Sequence, residues 1–289
     1  MRINNIVLVV LVSLITTFGA YRYLSVTGQR VTAELQKAET PFDRIMRTDT
    51  IRCGYVLYEP FVHKDPNTGV FSGVAVDLMD RIGTLLNLKI EWTEEVGWAT
   101  TIEGLKTRRY DLMCVGFWRQ SLEAKYMFYT QTFSYRRVGI IVRQDDHRFD
   151  KDQSRINQPD VRIVSSDGEL ASAIAHRDYP QAQLLEAPNM TDFTQRLEDI
   201  TDNKADVTFI EDAITDVYLK NNPYKLRRLD VPPVRVFQNT LAFLPDERLK
   251  SMLDTAVIEL VENGEMDRIL DKYDPVNKML LRIKRPGQP

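Results

Sequence analysis

The sequence is poor in the residues on which most enzyme chemistry depends. Two cysteines, Cys53 and Cys114, occur in 289 residues, too few for a disulfide-built scaffold and not in the CxxC spacing of a zinc site. The three histidines, His63, His147 and His176, stand far apart, and there is no nucleophile elbow, zinc helix, phosphate loop or dinucleotide fingerprint. No catalytic residue, metal or cofactor is therefore expected. An excess of positive charge is also missing: 38 Lys and Arg face 41 Asp and Glu, a net charge of -3. The basic residues are scattered among acids, which argues against a nucleic-acid-binding stripe. Glycine and proline, 13 of each, are too few for a low-complexity chain.

What is present is enough apolar residue, 43% of the chain, to bury one large or two moderate cores. Arg2 precedes an uncharged run from Ile3 to Tyr21, almost wholly aliphatic between Ile6 and Ile15. A spanning helix needs roughly 20 apolar residues and a signal-peptide core roughly 7 to 15, so residues 1–24 fit either a signal or a membrane anchor. Phe18-Gly19-Ala20 puts a bulky ring where a cleavage site wants a small residue, and no cysteine follows for lipid attachment, which favours the anchor. Residues 25–40 are polar and suit a spacer, and Pro41-Phe42-Asp43 marks entry into the folded part.

From there strand and helix periods alternate. Strands are expected at Thr50–Val56, Leu88–Thr93 and Asp111–Gly116, with helices at Val74–Leu86 and Thr100–Thr107. A long extended segment, Phe133–Arg143, leads into a charged stretch, Gln144–Asp160, that shows no core pattern and reads as a linker. A second alternating unit follows, with strands at Val161–Ser165, Gln183–Glu186 and Asp206–Ile210 and helices at Glu169–His176, Thr191–Thr201 and Asp212–Lys220. Val234–Leu244 is a second long extended segment. Helices at Pro245–Val261 and Met266–Tyr273 close the chain before a basic tail expected to be solvated. Alternation implies crossovers and a mainly parallel sheet. Two such units joined by two extended crossings imply two lobes on paired hinge strands, an arrangement suited to enclosing a solute.

The order of local signatures resembles the polar-amino-acid type of extracytoplasmic solute-binding proteins of ABC importers. The resemblance runs through Thr50-Ile51-Arg52-Cys53-Gly54-Tyr55, Tyr58-Glu59-Pro60-Phe61, Gly73-Val74-Ala75-Val76-Asp77-Leu78, Tyr110-Asp111-Leu112 and Tyr129-Thr130-Gln131-Thr132-Phe133. It continues through Lys204-Ala205-Asp206-Val207 and Asn263-Gly264-Glu265-Met266. It implies an α/β, two-lobed periplasmic-binding-protein-like clamp with two hinge strands, preceded by an N-terminal hydrophobic helix. Lobe one would comprise residues 41–135 and 241–275, lobe two 136–240, and the tail 276–289.

By that resemblance Tyr58, Phe61 and Trp98 would offer aromatic surface to a ligand, although packing of the loop is an alternative for each. The family's carboxylate-binding arginine is replaced by Glu123, and two hydroxyl positions before it by Trp118 and Gln120. Either the nearby Arg119 takes over carboxylate capture, or the ligand is not held by a carboxylate there. In lobe two the turn Ser165-Ser166-Asp167-Gly168-Glu169 lies where the family binds a carboxylate, with Asp167 either facing the ligand or capping the helix. Glu211 occupies the position of the acid that takes the ligand ammonium. On this fold Cys53 and Cys114 fall on neighbouring strands; buried free thiols are expected, because adjacent parallel strands seldom give disulfide geometry, although an oxidising compartment leaves pairing open.

The function implied is binding of a small polar solute, an amino acid or related amine, on the periplasmic side of the cytoplasmic membrane for delivery to an ABC permease. The protein is expected to be a monomer, to touch the membrane through its N-terminal segment and to bind no nucleic acid. A tethered ligand sensor, or a dehydratase-like enzyme using Glu123, Asp167 or Glu211, is the alternative.

Overall fold

A computed structural model of the chain describes residues 16–23, 39–121, 123–188, 193–275 and 280–285. The chain divides into two units, Met1–Arg44 and Ile45–Pro289. In the first, residues 16–23 are helical and exposed. Thr40 and Asp43 exchange side-chain and backbone hydrogen bonds, the Asp43 N–H donating to Thr40 Oγ1 at 3.2 Å and the Thr40 N–H to Asp43 Oδ2 at 3.4 Å. With Pro41 at the first helical position, this reciprocal cap starts helix α1, Pro41–Thr48. Most of the expected anchor and spacer, residues 1–15 and 24–38, lies outside the described residues. Among the described residues no helix is long and apolar enough to cross a membrane.

The second unit is built on one sheet. Its strands are β1 (Thr50–Tyr55), β4 (Lys89–Glu95), β5 (Leu112–Phe117), β7 (Ser134–Arg143), β8 (Arg162–Ser166), β9 (Gln183–Ala187), β10 (Val207–Glu211) and β12 (Arg235–Phe243), in the order β4-β1-β5-β12-β7-β10-β8-β9. The strands at each end of that order pair in parallel, β1 with β4 and β5, and β8 with β9 and β10. The two long central strands run antiparallel to each other and to their neighbours. β12 pairs with β7 along Arg235–Asn239 and with β5 along Thr240–Phe243, so one strand passes from one half of the sheet to the other. This is the two-lobed clamp with its two hinge strands.

Each half has its own core. Helix α2, Val74–Leu86, buries Val74, Ala75, Leu78, Met79 and Ile82 at the 3–4 residue spacing of one helix face, and ends on Asn87 in the left-handed conformation, whose N–H caps Gly83 and Thr84 carbonyls. Its start depends on Gly73, where φ is 130° and an added Cβ would stand 2.2 Å from the Phe61 carbonyl oxygen. Helix α3, Thr101–Lys106, follows in the same half. In the second half, α4 (Leu170–Asp178) packs Leu170, Ala171 and Ile174 on Val138, Ile163 and Phe209, and α5 (Phe193–Thr201) buries Leu197 and Ile200 against the sheet's other face.

Three expectations are corrected. Gln144–Asp160 is not a bare linker: Phe149 and Ile156 are fully buried in the second lobe's core. Isolated among charges, these two anchors produce no periodicity, yet each buries a whole side chain. The described part of the tail is docked and not free in solvent, although Lys284 is exposed: Leu280–Leu281 forms strand β13 on β7, Leu280 is buried, and Arg282 and Arg285 pair with Asp271 and Asp267. Cys53 and Cys114 are joined as a disulfide rather than free. Although they sit on adjacent parallel strands, their Cα atoms are 5.4 Å apart, inside the roughly 4.4–6.8 Å span that a bridge requires. Four short strands that the periodicity missed, β2 (His63–Lys64), β3 (Phe71–Ser72), β6 (Phe128–Tyr129) and β11 (Leu226–Arg228), are too brief to show an alternation.

Candidate functional site

The ends of β5 and β10 converge on a cavity of about 150 Å³ between the lobes. On the first lobe's side it is lined by Tyr58, Trp98, Phe117, Trp118, Gln120 and Glu123; on the second lobe's side by Gly168, Glu169, Arg196, Phe193, Phe209 and Glu211, among others. Backbone placement explains the convergence. Tyr58 is held by a tight turn in which its N–H bonds the Val62 carbonyl at 2.9 Å and its carbonyl receives the Phe61 N–H at 2.8 Å. Trp98 opens a short 3₁₀ turn, Trp118 directly follows β5, and Glu211 ends β10 at the N-terminus of helix α6, Asp212–Asn221. Gly168 adopts φ 75°, and a Cβ there would lie 3.5 Å from that of Ala99, so the two walls are in van der Waals reach at the rim.

The aromatic wall is continuous. The Trp98 and Trp118 rings stack with centroids 6.0 Å apart and planes 10° from parallel, Tyr58 meets Trp98 edge-on at 5.7 Å, and Trp118 reaches Phe237 at 5.4 Å. Behind this wall lies Arg136, which is 2% exposed. Its guanidinium carbon sits 5.3 Å from the Tyr58 ring, 4.6 Å from Phe61 and 4.9 Å from Trp118. Its nitrogens donate to Asn239 Oδ1 at 2.7 Å, the Gly116 carbonyl at 2.7 Å and Glu211 Oε1 at 3.4 Å. One side chain on a hinge strand thus bonds both lobes and the other hinge strand.

The charges around the cavity are unevenly matched. Glu211 has Arg136 and the Tyr58 hydroxyl as partners, and Glu169 pairs with the buried Arg196 at 2.6 Å. Among the described residues Glu123 receives only the Tyr129 hydroxyl, at 3.5 Å. Burial raises the Glu123 carboxyl above its ordinary value. Burial likewise raises Glu169, the positive charge of Arg196 opposing it. The Tyr58 phenol is pushed well above its usual range by burial and then by the neighbouring Glu211 carboxylate. Among the described residues no group of three or more His, Cys, Asp or Glu is placed to hold a metal ion.

Of the residues singled out in the sequence, Tyr58, Trp98, Trp118, Glu123 and Glu211 line this one cavity. Phe61 does not: it is fully buried beneath Arg136. Arg119 does not either, because its guanidinium folds back over its own lobe, donating to the Thr130 carbonyl at 2.6 Å and lying 6.0 Å from the Tyr129 ring. Asp167 is exposed, with its N–H tied to the Ala187 carbonyl. It does not cap α4, since Glu169 occupies the N-cap position. Sequence reasoning missed Arg136, Glu169 and Arg196. For Arg136 a signal existed: strand alternation puts it on the same face as Ser134 and Val138, both buried.

Residues 51–275 match the bacterial extracellular solute-binding proteins, family 3. The chain belongs to that family. Among curated relatives, the L-cystine-binding protein TcyA of Bacillus subtilis (strain 168) is 21% identical over 217 residues, 75% of this chain and 77% of that one. Among solved structures, a solute receptor for L-cysteine of Neisseria gonorrhoeae superposes with a TM-score of 0.68 at 18% identity, covering 83% of this chain and 98% of the other. An ancestral amino-acid-binding protein, a precursor of cyclohexadienyl dehydratase, superposes at 0.67 with 21% identity, over 81% and 99%. At such identities the superpositions speak for the fold. The family places this chain outside the cytoplasm, as a binder of a small solute.

Proposed function

We propose that this family member captures an amino acid or a related amine-bearing metabolite and hands it to an ABC permease. The observation that carries the reading is the shared cavity, to which both lobes contribute and in which aromatic faces stand beside carboxylates. Aromatic rings hold an aliphatic stem or a cation, and a buried carboxylate pairs with an ammonium. The likeness to receptors for cystine and cysteine supports the amino-acid class. In this reading residues 41–135 with 241–275 form one jaw and 136–240 the other, swinging on β7 and β12 so that closure buries the solute. Tyr58, Trp98, Trp118, Glu123 and Glu211 are its contacts. The N-terminal run serves as signal or anchor, and the protein acts as a monomer that binds without transforming its ligand.

Native mass spectrometry of the gently purified protein, followed by calorimetry with the compound retained, tests this. A ligand at 100 times its Kd stabilises the folded state by about 2.7 kcal/mol, and the retained compound is expected back with unchanged mass. Stabilisation by dicarboxylates with none by amines or amino acids contradicts the proposal, and a changed mass would move the chain to the enzymes.

A further inference from the structure

Three carboxylates line the cavity, and they are not equivalent. Glu169 is held by Arg196 at 2.6 Å, and Glu211 by Arg136 at 3.4 Å and by the Tyr58 hydroxyl. Both guanidiniums beside the cavity thus already face an acid of the protein itself, although Arg196 does so through Nη1 alone and its buried Nε has no partner among the described residues. Among the described residues Glu123 has no cationic partner, only the phenol of Tyr129 at 3.5 Å, although it is half-buried in the wall. A carboxylate in that position lacks the neutralising charge that burial normally demands.

We infer that Glu123 is the specificity-determining residue of the cleft: it receives the ligand's cationic group, and the cleft selects organic amines or guanidines that carry no carboxylate. The charge balance of the lining favours this. Glu123, Glu169 and Glu211 against Arg196 leave an excess of negative charge, and Arg136 behind the wall offsets only part of it. A ligand ammonium or guanidinium placed on Glu123 beside the Trp98 and Trp118 faces gains a charge-assisted hydrogen bond and aromatic contact together. A ligand carboxylate in the same cavity would meet like charge, and would find its natural partners, Arg196 and Arg136, bound to Glu169 and Glu211. Arg119 offers no substitute, since it donates to the Thr130 carbonyl outside the cavity.

The inference rests on the solute-binding reading above, and pairs of compounds with and without a carboxylate separate the two. Calorimetry of the full folded chain with agmatine against arginine, and cadaverine against lysine, compares ligands differing only by the carboxylate. At least tenfold tighter binding of agmatine or cadaverine is expected, together with at least a tenfold loss in Glu123→Gln and no such loss in Arg119→Gln. Glu123→Gln preserves shape, and its unliganded melting temperature checks that it folds. Should it fail to fold, the wild-type ligand pairs decide alone. Equal or tighter binding of the amino acids, or unaltered amine binding by a folded Glu123→Gln, overturns the inference and leaves the solute-binding reading standing. Binding of neither amines nor amino acids overturns both.

Discussion

The Asp206 carboxylate accepts hydrogen bonds from both the backbone N–H and the Nε of Arg162, each at 2.9 Å. The Asp206 N–H in turn donates to the Arg162 carbonyl at 2.8 Å. In the other lobe Asp111 does the same with Arg52, accepting from its N–H at 2.9 Å and its Nε at 3.3 Å and donating back to its carbonyl at 2.9 Å. Each aspartate stands one residue before a strand and pins it to a parallel neighbour, so the lobes share a clasp that no sequence repeat announces.

Asp206 also accepts from Arg143 and Arg148, at 3.0 and 2.8 Å. Burial acts to raise its carboxyl, but the bonds from Arg162, followed by those from Arg143 and Arg148, outweigh it and hold the carboxyl well below the usual range. Asp206→Asn leaves Arg162 without its acid and Arg143 and Arg148 sharing Asp146 alone, and is expected to destabilise by about 2–4 kcal/mol at neutral pH, allowing for the partly exposed arginines. A depressed folded-state value means that the stabilisation is complete above the unfolded carboxyl's pKa of about 4 and fades as pH falls below it. Urea denaturation at pH 7 and pH 3 should therefore show the gap between wild type and variant shrinking; a gap that persists unchanged at pH 3 contradicts the assignment.

The Cys53–Cys114 bridge closes a loop of 61 residues. Loop-closure entropy for that length corresponds to about 4 kcal/mol, and measured bridges typically deliver about 2–4. The double variant Cys53→Ala/Cys114→Ala, or reduction, should lower stability by that amount in chemical denaturation. Thiol titration of the unfolded, unreduced protein should find no free thiol, and finding two would remove the bridge from the account.

Removing the Arg136 guanidinium leaves Glu211 buried without its cation and opens space between Tyr58, Phe61 and Trp118. Arg136→Met should cost about 3–5 kcal/mol, and Arg136→Lys should restore only part, because an ammonium cannot fork to Asn239, Gly116 and Glu211 together. A double-mutant cycle with Glu211→Gln isolates the pair. A coupling near zero would mean that Arg136 acts through its bonds to Asn239 and Gly116 and its ring contacts, not through Glu211.

At Gly73 the backbone carries φ 130° and a Cβ would meet the Phe61 carbonyl oxygen at 2.2 Å. Gly73→Ala should therefore cost at least about 2 kcal/mol, whereas Gly69→Ala, with φ 72° and open space around it, should cost about 1 kcal/mol from strain alone. Equal losses at the two sites would show that the clash is relieved by movement of the turn.

Helix α2 was legible to the residue because a 13-residue amphipathic pattern repeats its signal several times over. The alternation of strands and helices was legible for the same reason. Phe149 and Ile156 were not, since single apolar residues among charges acquire meaning only from the cavity they fill. The cleft divides in the same way. Tyr58, Trp98, Trp118, Glu123 and Glu211 could be located from ordered local signatures, but the direction of Arg119 depends on a contact with Thr130, eleven residues on. Arg136 depends on Asn239 and Glu211, 103 and 75 residues away.

Periodicity within short windows was enough for the class of fold and the two extended crossings, while the aromatic and acidic character of the cleft was legible through the ordered signatures that resemble the family. Which carboxylates are already neutralised, and which arginine stands among the rings, emerges from the folded chain alone. The same holds for the union of the two cysteines. Pairing of charges and thiols is set by distances of a few ångströms between segments far apart in the chain, and local pattern carries no record of those distances.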